Sequence, residues 1–499
     1  MSDDGQRTPV ENDPELAAEE VELEFDDPEL YHDIAHNHEH ASEAHQLLRS
    51  YIGQKHQEQE ETVPGVLHPG ATGVIYCTDR AMANGFSYAS KTDWSNMGQG
   101  APYTGPLPGA SPRPEGIDFN DYDCDIHEYA PTVGLKALRE AVANLYNVEY
   151  RQGKDSKYTY ENVCIVPGGR AGMSRVAAVI GDVYCGYQIP EYTTYSEVLS
   201  VFKRLLPIPT ALEAQDDYKL NIAELKKAAK ILSLSVIVAS NPRNPTGQVI
   251  QGDDLKELVR MGDGNTTWYC YHDDPNMLGK SISGAEHVNN VNEDAVVIID
   301  GLTKGFRLPG WRVCWVLGPK NLISAISQSG SFLDGGASHP MQVMALPLLD
   351  PKRVMQDKIA LQTHFREKRD HVLARLAAMG LPVRVPPRAT FYIWLDLSPL
   401  PAPLNNGLTF FEELLKEKVI CVPGLFFDVN PAKRRNLFES PCHHFVRLSF
   451  GPPMEVLDRG LDGMERLVKR HLDQEHRAGE YVQSPTTARF PGIDHGHHI

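Results

Sequence analysis

Lys304 and Arg312 lie in the stretch Asp300-Gly301-Leu302-Thr303-Lys304-Gly305-Phe306-Arg307-Leu308-Pro309-Gly310-Trp311-Arg312, directly after the apolar run Ala295-Val296-Val297-Ile298-Ile299. Strand-end loops of open α/β sheets are where ligands bind. A lysine desolvated at such a place loses its proton readily and can condense with a carbonyl compound. An arginine nearby offers a planar fork of donors that suits a phosphate. The pair therefore points to a ligand that carries both an aldehyde and a phosphate.

Three further runs bring polar groups to strand ends or into strands. The buried run Ser235-Val236-Ile237-Val238-Ala239-Ser240 leads into Asn241-Pro242-Arg243-Asn244-Pro245-Thr246-Gly247. Its two prolines leave the loop few shapes, so the amide of Asn244 can be aimed. The run Thr267-Trp268-Tyr269-Cys270-Tyr271 predicts a strand ending in His272-Asp273-Asp274-Pro275-Asn276, with Asp273 as the first choice of carboxylate and Asp274 as its rival. In His444-Phe445-Val446-Arg447-Leu448-Ser449-Phe450 an arginine stands inside an apolar strand, where a charge needs a partner.

These residues need elements to hold them. Val163-Cys164-Ile165-Val166 reads as a buried strand, and Pro167-Gly168-Gly169-Arg170-Ala171-Gly172 turns it into a helix expected to begin near Met173. Strand, glycine turn and helix start together form an anion site. Leu135, Leu138, Val142 and Leu145 recur at helical spacing and predict an amphipathic helix. From Asp350 toward Met379 a long amphipathic helix leads into a smaller unit, with strands expected at 390–397, 419–424 and 444–450 and a closing helix from Met454 to His471.

Taken in order, these motifs resemble the class I/II aminotransferases among the fold-type I enzymes that use pyridoxal 5′-phosphate, the cofactor that joins an aldehyde to a phosphate. The resemblance spans roughly residues 90 to 470. It implies an α/β fold: a three-layer large domain with a mostly parallel sheet, aspartate-aminotransferase-like, plus a smaller α+β domain. By the same resemblance Lys304 forms the imine, Arg312, Gly168, Gly169, Arg170 and Thr303 surround the phosphate, and Tyr192, two places after Pro190, stacks on the pyridine ring. Asn244 donates to the phenolic oxygen, Asp273 pairs with the ring nitrogen, and Arg447 grips the substrate carboxylate. Gly100, in Trp94-Ser95-Asn96-Met97-Gly98-Gln99-Gly100-Ala101-Pro102, closes over the substrate. Tyr129, in Tyr129-Ala130-Pro131-Thr132-Val133-Gly134, crosses a homodimer interface to the neighbour's phosphate. The expected reaction moves an amino group between an α-amino acid and a 2-oxo acid.

The chain departs from the pattern at three places. Asn276 stands where a tyrosine usually follows the aspartate, which keeps a lyase or amino-acid oxidase on the same fold as an alternative. Gly301 stands where a serine is common. Asp334 stands where dicarboxylate-specific members carry a second arginine, so a neutral or basic substrate side chain is expected over a dicarboxylic one. A non-catalytic, aminotransferase-like regulator is the more distant alternative. Such regulators usually carry a basic N-terminal DNA-binding domain, whereas the first residues here are acidic and the lysine is present.

Composition sets the outer limits. Of a net charge of -18 over 499 residues, the first fifty residues contribute -13, from fifteen acidic side chains against Arg7 and Arg49. The acidity thus belongs to a tail, and no basic surplus suggests nucleic acid. Residues 1–65 are expected to be an acidic, mostly disordered tail with one short helix near His45 to Ile52. Residues 66–100 are expected to serve the small domain and site edge, 101–349 the large domain, 350–475 the small domain and 476–499 a second tail. The histidines His32, His36, His38, His40 and His45 read as solvated, with no metal expected. Eight scattered cysteines without a Cys-x-x-Cys pattern, no signal core and no apolar run of membrane-spanning length lead to the expectation of a cytoplasmic protein.

Overall fold

In this computed structural model the described residues are 73–89, 93–116, 118, 126–202, 204–261, 266–431 and 435–483. The acidic segment 1–65, with its histidines and the short helix predicted near 45–52, lies outside them, as do residues 484–499.

Strands Val183–Ile189, Leu205–Ala211 and Leu234–Ile237 form a parallel triple with Val183–Ile189 in the middle. Helices Thr194–Val201 and Ile222–Leu232 supply the crossovers that parallel neighbours require. In a second triple, Cys314–Leu317 runs antiparallel to both of its neighbours, Val163–Val166 and Ile298–Gly301. Those two neighbours therefore point the same way and deliver their C-terminal ends to one edge.

Alternation along the second triple builds the layers. Cys164, Val166, Cys314 and Val316 pack with Ile323 and Ile326 of the Lys320–Leu333 helix. Val163, Ile165, Trp315 and Leu317 face the main core, which includes Leu138 and Val142 of the Lys136–Tyr150 helix. Both faces are covered, which is why Val163–Val166 and Cys314–Leu317 are apolar throughout and fully buried.

Asp350 caps the Pro351–Ala378 helix by accepting from the N–H groups of Lys352 and Arg353. Beyond it lies the smaller sheet, where Phe445–Ser449 is the middle strand between Tyr392–Asp396 and Val422–Pro423. Ser95–Asn96 pairs in parallel with Val419–Ile420, so the segment before Gly100 is tied to this unit. The closing helix runs Met454–Gln483, longer than its sequence pattern predicts.

The strand predicted over 267–271 does not form as expected. Only Thr266–Thr267 is a strand, paired with Ile282–Ser283. The next residues are buried by their rings: Trp268 lies 4.3 Å from Phe306, and Tyr269 lies 5.1 Å from both Phe365 and Phe391. Their backbone is satisfied by 388–390, with the Tyr271 N–H on Arg388 O at 2.9 Å and the Thr390 N–H on Tyr269 O at 3.1 Å. Aromatic packing thus replaces sheet extension here.

Asp334 has a structural partner. It forms a two-pronged ion pair with Arg175, whose side chain is fully buried and also donates to Thr132 O at 3.1 Å. Burial alone would raise the Asp334 carboxyl, but the hydrogen bonds from Arg175 and the Gly336 N–H outweigh it and hold it below the usual Asp range. Removing one partner of a buried pair strands the other charge. Asp334→Asn is therefore expected to cost about 3 kcal/mol of unfolding free energy at neutral pH in a denaturant titration. The difference from wild type should shrink as pH falls below the ordinary Asp value of 3.8, because a depressed carboxyl contributes stability only while it is ionised. A loss below about 0.5 kcal/mol would assign the pair to the ordinary surface class.

Candidate active site

Cys314 stands opposite Val166 on one side and Gly301 on the other. The residues just past this row therefore converge: Gly168 follows Val166, Lys304 follows Gly301, and Arg312 precedes Cys314. Gly168 has φ 104°, a conformation that favours glycine, and a Cβ there would collide with the Arg312 guanidinium. Arg312 Nη2 also donates to Pro167 O at 3.3 Å. The helix opens at Gly169, earlier than the Met173 of the sequence reading, so the first-turn N–H groups of Gly169 and Arg170 border the same turn. Backbone donors, a helix start and a guanidinium together are an arrangement that suits an anion. Gly301 is a packing requirement, since a Cβ there would run into the Cys314 backbone. The Thr303 hydroxyl lies 3.2 Å from Cys314 Sγ.

Lys304 follows in the turn and keeps access to solvent. Its ammonium donates to Gly100 O and lies 5.8 Å from the Phe391 ring. Surrounding protein, then the charges of Arg447, Arg170 and Arg312, bring its pKa down to about 8. Arg170 in turn donates to the Tyr192 hydroxyl at 3.0 Å. A lysine, an aromatic ring and two arginines are thus linked around one cleft.

Arg447 lies in the middle strand of the small sheet, opposite Trp394 and Val422, and is 2% exposed. Its guanidinium sits 4.2 Å from the Tyr392 ring and 5.0 Å from the Phe427 ring. It donates to Gly98 O at 2.6 Å and to Asn244 Oδ1 at 3.1 Å, while Nε has no partner. No carboxylate among the described residues pairs with it. Burial pushes this group's pKa down. Gly98 and Gly100 thus each turn a carbonyl toward one cation, and their segment spans both.

Other expected residues lie elsewhere. Asp273 is exposed and lines a separate cavity of about 220 Å³ with Val249, Tyr271, His272, Asp274 and Arg388. It is not brought to Lys304, because the run before it leaves the sheet. Asn276 closes its own turn, both its N–H and its side-chain amide donating to Asp274 Oδ1 at 2.9 Å. Tyr129 is 93% exposed on the outer surface. The backbone beside it is held by His339 Nδ1 on Glu128 O at 3.0 Å and by Arg175 on Thr132.

Sequence reasoning missed Tyr392 and Phe427, the two rings that back Arg447. The aromatic run over 390–397 was visible, but its register against 445–449 was not. If the depressed Lys304 amine is correct, acylation of that residue in cofactor-free protein should follow a pH profile with its midpoint near 8. The neutral nucleophile would then dominate above that value. Peptide mapping after brief labelling across a pH series measures this. A midpoint at the ordinary lysine value of 10.5 would refute the electrostatic account.

Residues 92–463 match the family model described as aminotransferase class I and II. The aspartate aminotransferase of Pyrococcus abyssi is 25% identical over 367 residues, covering 70% of this chain and 85% of its own length. The LL-diaminopimelate aminotransferase of Dehalococcoides mccartyi is 26% identical over 349 residues, covering 67% and 82% respectively. Among solved structures, an aminotransferase from Mycobacterium tuberculosis superposes with a TM-score of 0.65 at 19% identity, over 82% of this chain and 100% of that one. The aspartate aminotransferase from Thermus thermophilus with maleate gives 0.63 at 20% identity, over 80% and 97%. With the family model covering most of its length, the chain belongs to the class I and II aminotransferases.

Proposed function

We propose that this aminotransferase works with pyridoxal 5′-phosphate held at Lys304, and that it moves the amino group of an α-amino acid with a neutral or basic side chain to a 2-oxo acid. The residues fit the cofactor at two ends. The Gly168–Arg312 turn would hold its phosphate, with Gly169 and Arg170 lending N–H groups, and the depressed Lys304 amine suits its aldehyde. When bound, this cofactor supplies a carbonyl that condenses with amines and a ring that accepts electrons from the substrate's α-carbon. Nothing in the geometry of Asp273 supports the ring-nitrogen role that the resemblance gives it.

The observation that carries the reading is Arg447, a buried guanidinium with an unpartnered Nε and no carboxylate beside it. A substrate α-carboxylate would complete it, through the bidentate pairing that guanidinium groups favour. Tyr392 and Phe427 exclude water from the pair and strengthen it. Holding the carboxylate there leaves the Cα proton toward Lys304, whose Nζ acts as base when neutral and as acid after it has taken the proton. Asn244 links the grip to the large domain by accepting from Arg447.

The side-chain preference rests on Asp334, which stands where the resemblance places a dicarboxylate-binding arginine and is engaged by Arg175. Exposed Tyr129 supports a homodimer in which it reaches the partner's phosphate. Among the described residues no helix is long and apolar enough to cross a membrane, and a cytoplasmic location is part of this proposal.

An amino-donor screen with a 2-oxo acid acceptor tests the reaction. Wild-type protein should take up the cofactor with a visible absorbance that Lys304→Ala abolishes. Arg447→Ala should lower kcat/KM by about 100-fold, equivalent to about 3 kcal/mol, mostly through KM. A colourless protein that fails to take up added cofactor would refute the proposal, and fastest turnover of aspartate or glutamate would overturn the side-chain preference.

A further inference from the structure

Two buried charges stand directly behind the residues assigned to the cofactor, and the reaction gives them no role. Glu191 is fully buried between Pro190 and Tyr192, and Arg243, 1% exposed, immediately precedes Asn244. One oxygen of Glu191 accepts the Tyr192 N–H at 2.8 Å. The other accepts the Ser240 N–H at 3.3 Å and lies 3.5 Å from Arg243 Nη1. That same nitrogen is 3.3 Å from Gln188 Oε1. The backbone of Glu191 reaches the small domain, its N–H donating to Phe427 O at 3.0 Å, and the Phe427 ring backs Arg447.

A buried pair of this length is a poor source of stability, because desolvating both charges offsets most of their attraction. What such a pair does well is fix one arrangement. Here it joins the end of the Val183–Ile189 strand, which carries Tyr192, to the loop that carries Asn244. The loop is pinned independently at its base, where the Arg243 N–H meets Gln248 O at 2.8 Å and the Gly247 N–H meets Arg243 O at 2.9 Å. The Glu191 bridge links this loop to the backbone of Tyr192 itself, beside the Tyr195 hydroxyl 3.2 Å from Ser240 Oγ and the Arg447 donation to Asn244 Oδ1.

We infer that Glu191 and Arg243 are positioning residues: the Glu191 carboxylate, held by the Tyr192 and Ser240 N–H groups and the Arg243 guanidinium, sets the Tyr192 ring and the Asn244 amide in mutual register at the Lys304 cleft. The inference rests on the proposed cofactor site, in which Asn244 donates to the phenolic oxygen. A misdirected Asn244 leaves that oxygen free to hold the proton of the lysine–cofactor linkage more tightly, so the protonated form persists to higher pH.

The test is the pH midpoint of the visible absorbance in the cofactor-loaded protein, read beside its thermal unfolding. Arg243→Met is expected to raise the midpoint by about one pH unit. Asn244→Ala should raise it similarly, and the double variant should show no further shift, because both act through one amide. Arg243→Lys keeps the charge without the planar fork and should give a smaller shift. It also carries the test if Arg243→Met does not fold. Lower thermal stability with an unchanged midpoint, or additive shifts in the double variant, would overturn the inference and leave the pair structural. A wild-type protein without visible absorbance would instead refute the underlying cofactor reading.

Discussion

The site depends on one row of the sheet, in which Cys314 pairs with Val166 on one side and Gly301 on the other. Because the central strand runs antiparallel to both neighbours, the chain leaves two outer strands and enters the middle one at the same edge. A glycine turn, a lysine turn and an arginine meet there, and Arg312 bonds the glycine turn directly through Pro167 O. Gly168 and Gly301 are needed because the approach is close enough that a Cβ at either position would collide with Arg312 or with Cys314. A one-residue slip of this register would turn each side chain to the opposite face.

Charge is what this geometry concentrates. Lys304 senses Arg447, Arg170 and Arg312, and among the described residues none of the four is paired with a carboxylate. Such an excess lowers the lysine pKa and favours anions. Carbonyls from Gly98 and Gly100 soften the repulsion without removing it. Away from the cleft, two buried cations have carboxylate partners, Arg175 with Asp334 and Lys358 with Glu149 at 2.7 Å, while Arg151 and Lys368 are held by backbone carbonyls.

Arg447 ties the two domains into this scheme. It lies in the small sheet, yet its partners come from the Gly98 segment and from Asn244 on the large-domain loop. A carboxylate that binds Arg447 therefore touches elements from three parts of the chain. The small domain contributes by holding one guanidinium between two rings.

Much was legible in the sequence for local reasons. Helical spacing at Leu138, Val142 and Leu145, the continuous apolar run at 163–166 and the long helix beginning at Asp350 follow from side-chain period and backbone hydrogen bonding, which neighbours in sequence control. Lys304, Arg312, Gly168 and Arg447 were marked because polar groups stood at the ends or middles of such runs. Tertiary structure decided what those groups face. The apolar stretch at 268–271 satisfied the pattern of a strand but found a better burial among Phe306, Phe365 and Phe391, and Asp273 went with it. The sequence marks Asp334 only by its type, and the fold pairs it with Arg175, while Glu191 and Arg243 drew no notice because their pairing spans fifty-two residues. Period and propensity are properties of a segment; register, ion pairing and ring packing are properties of segments that meet, and only the folded chain fixes which ones do.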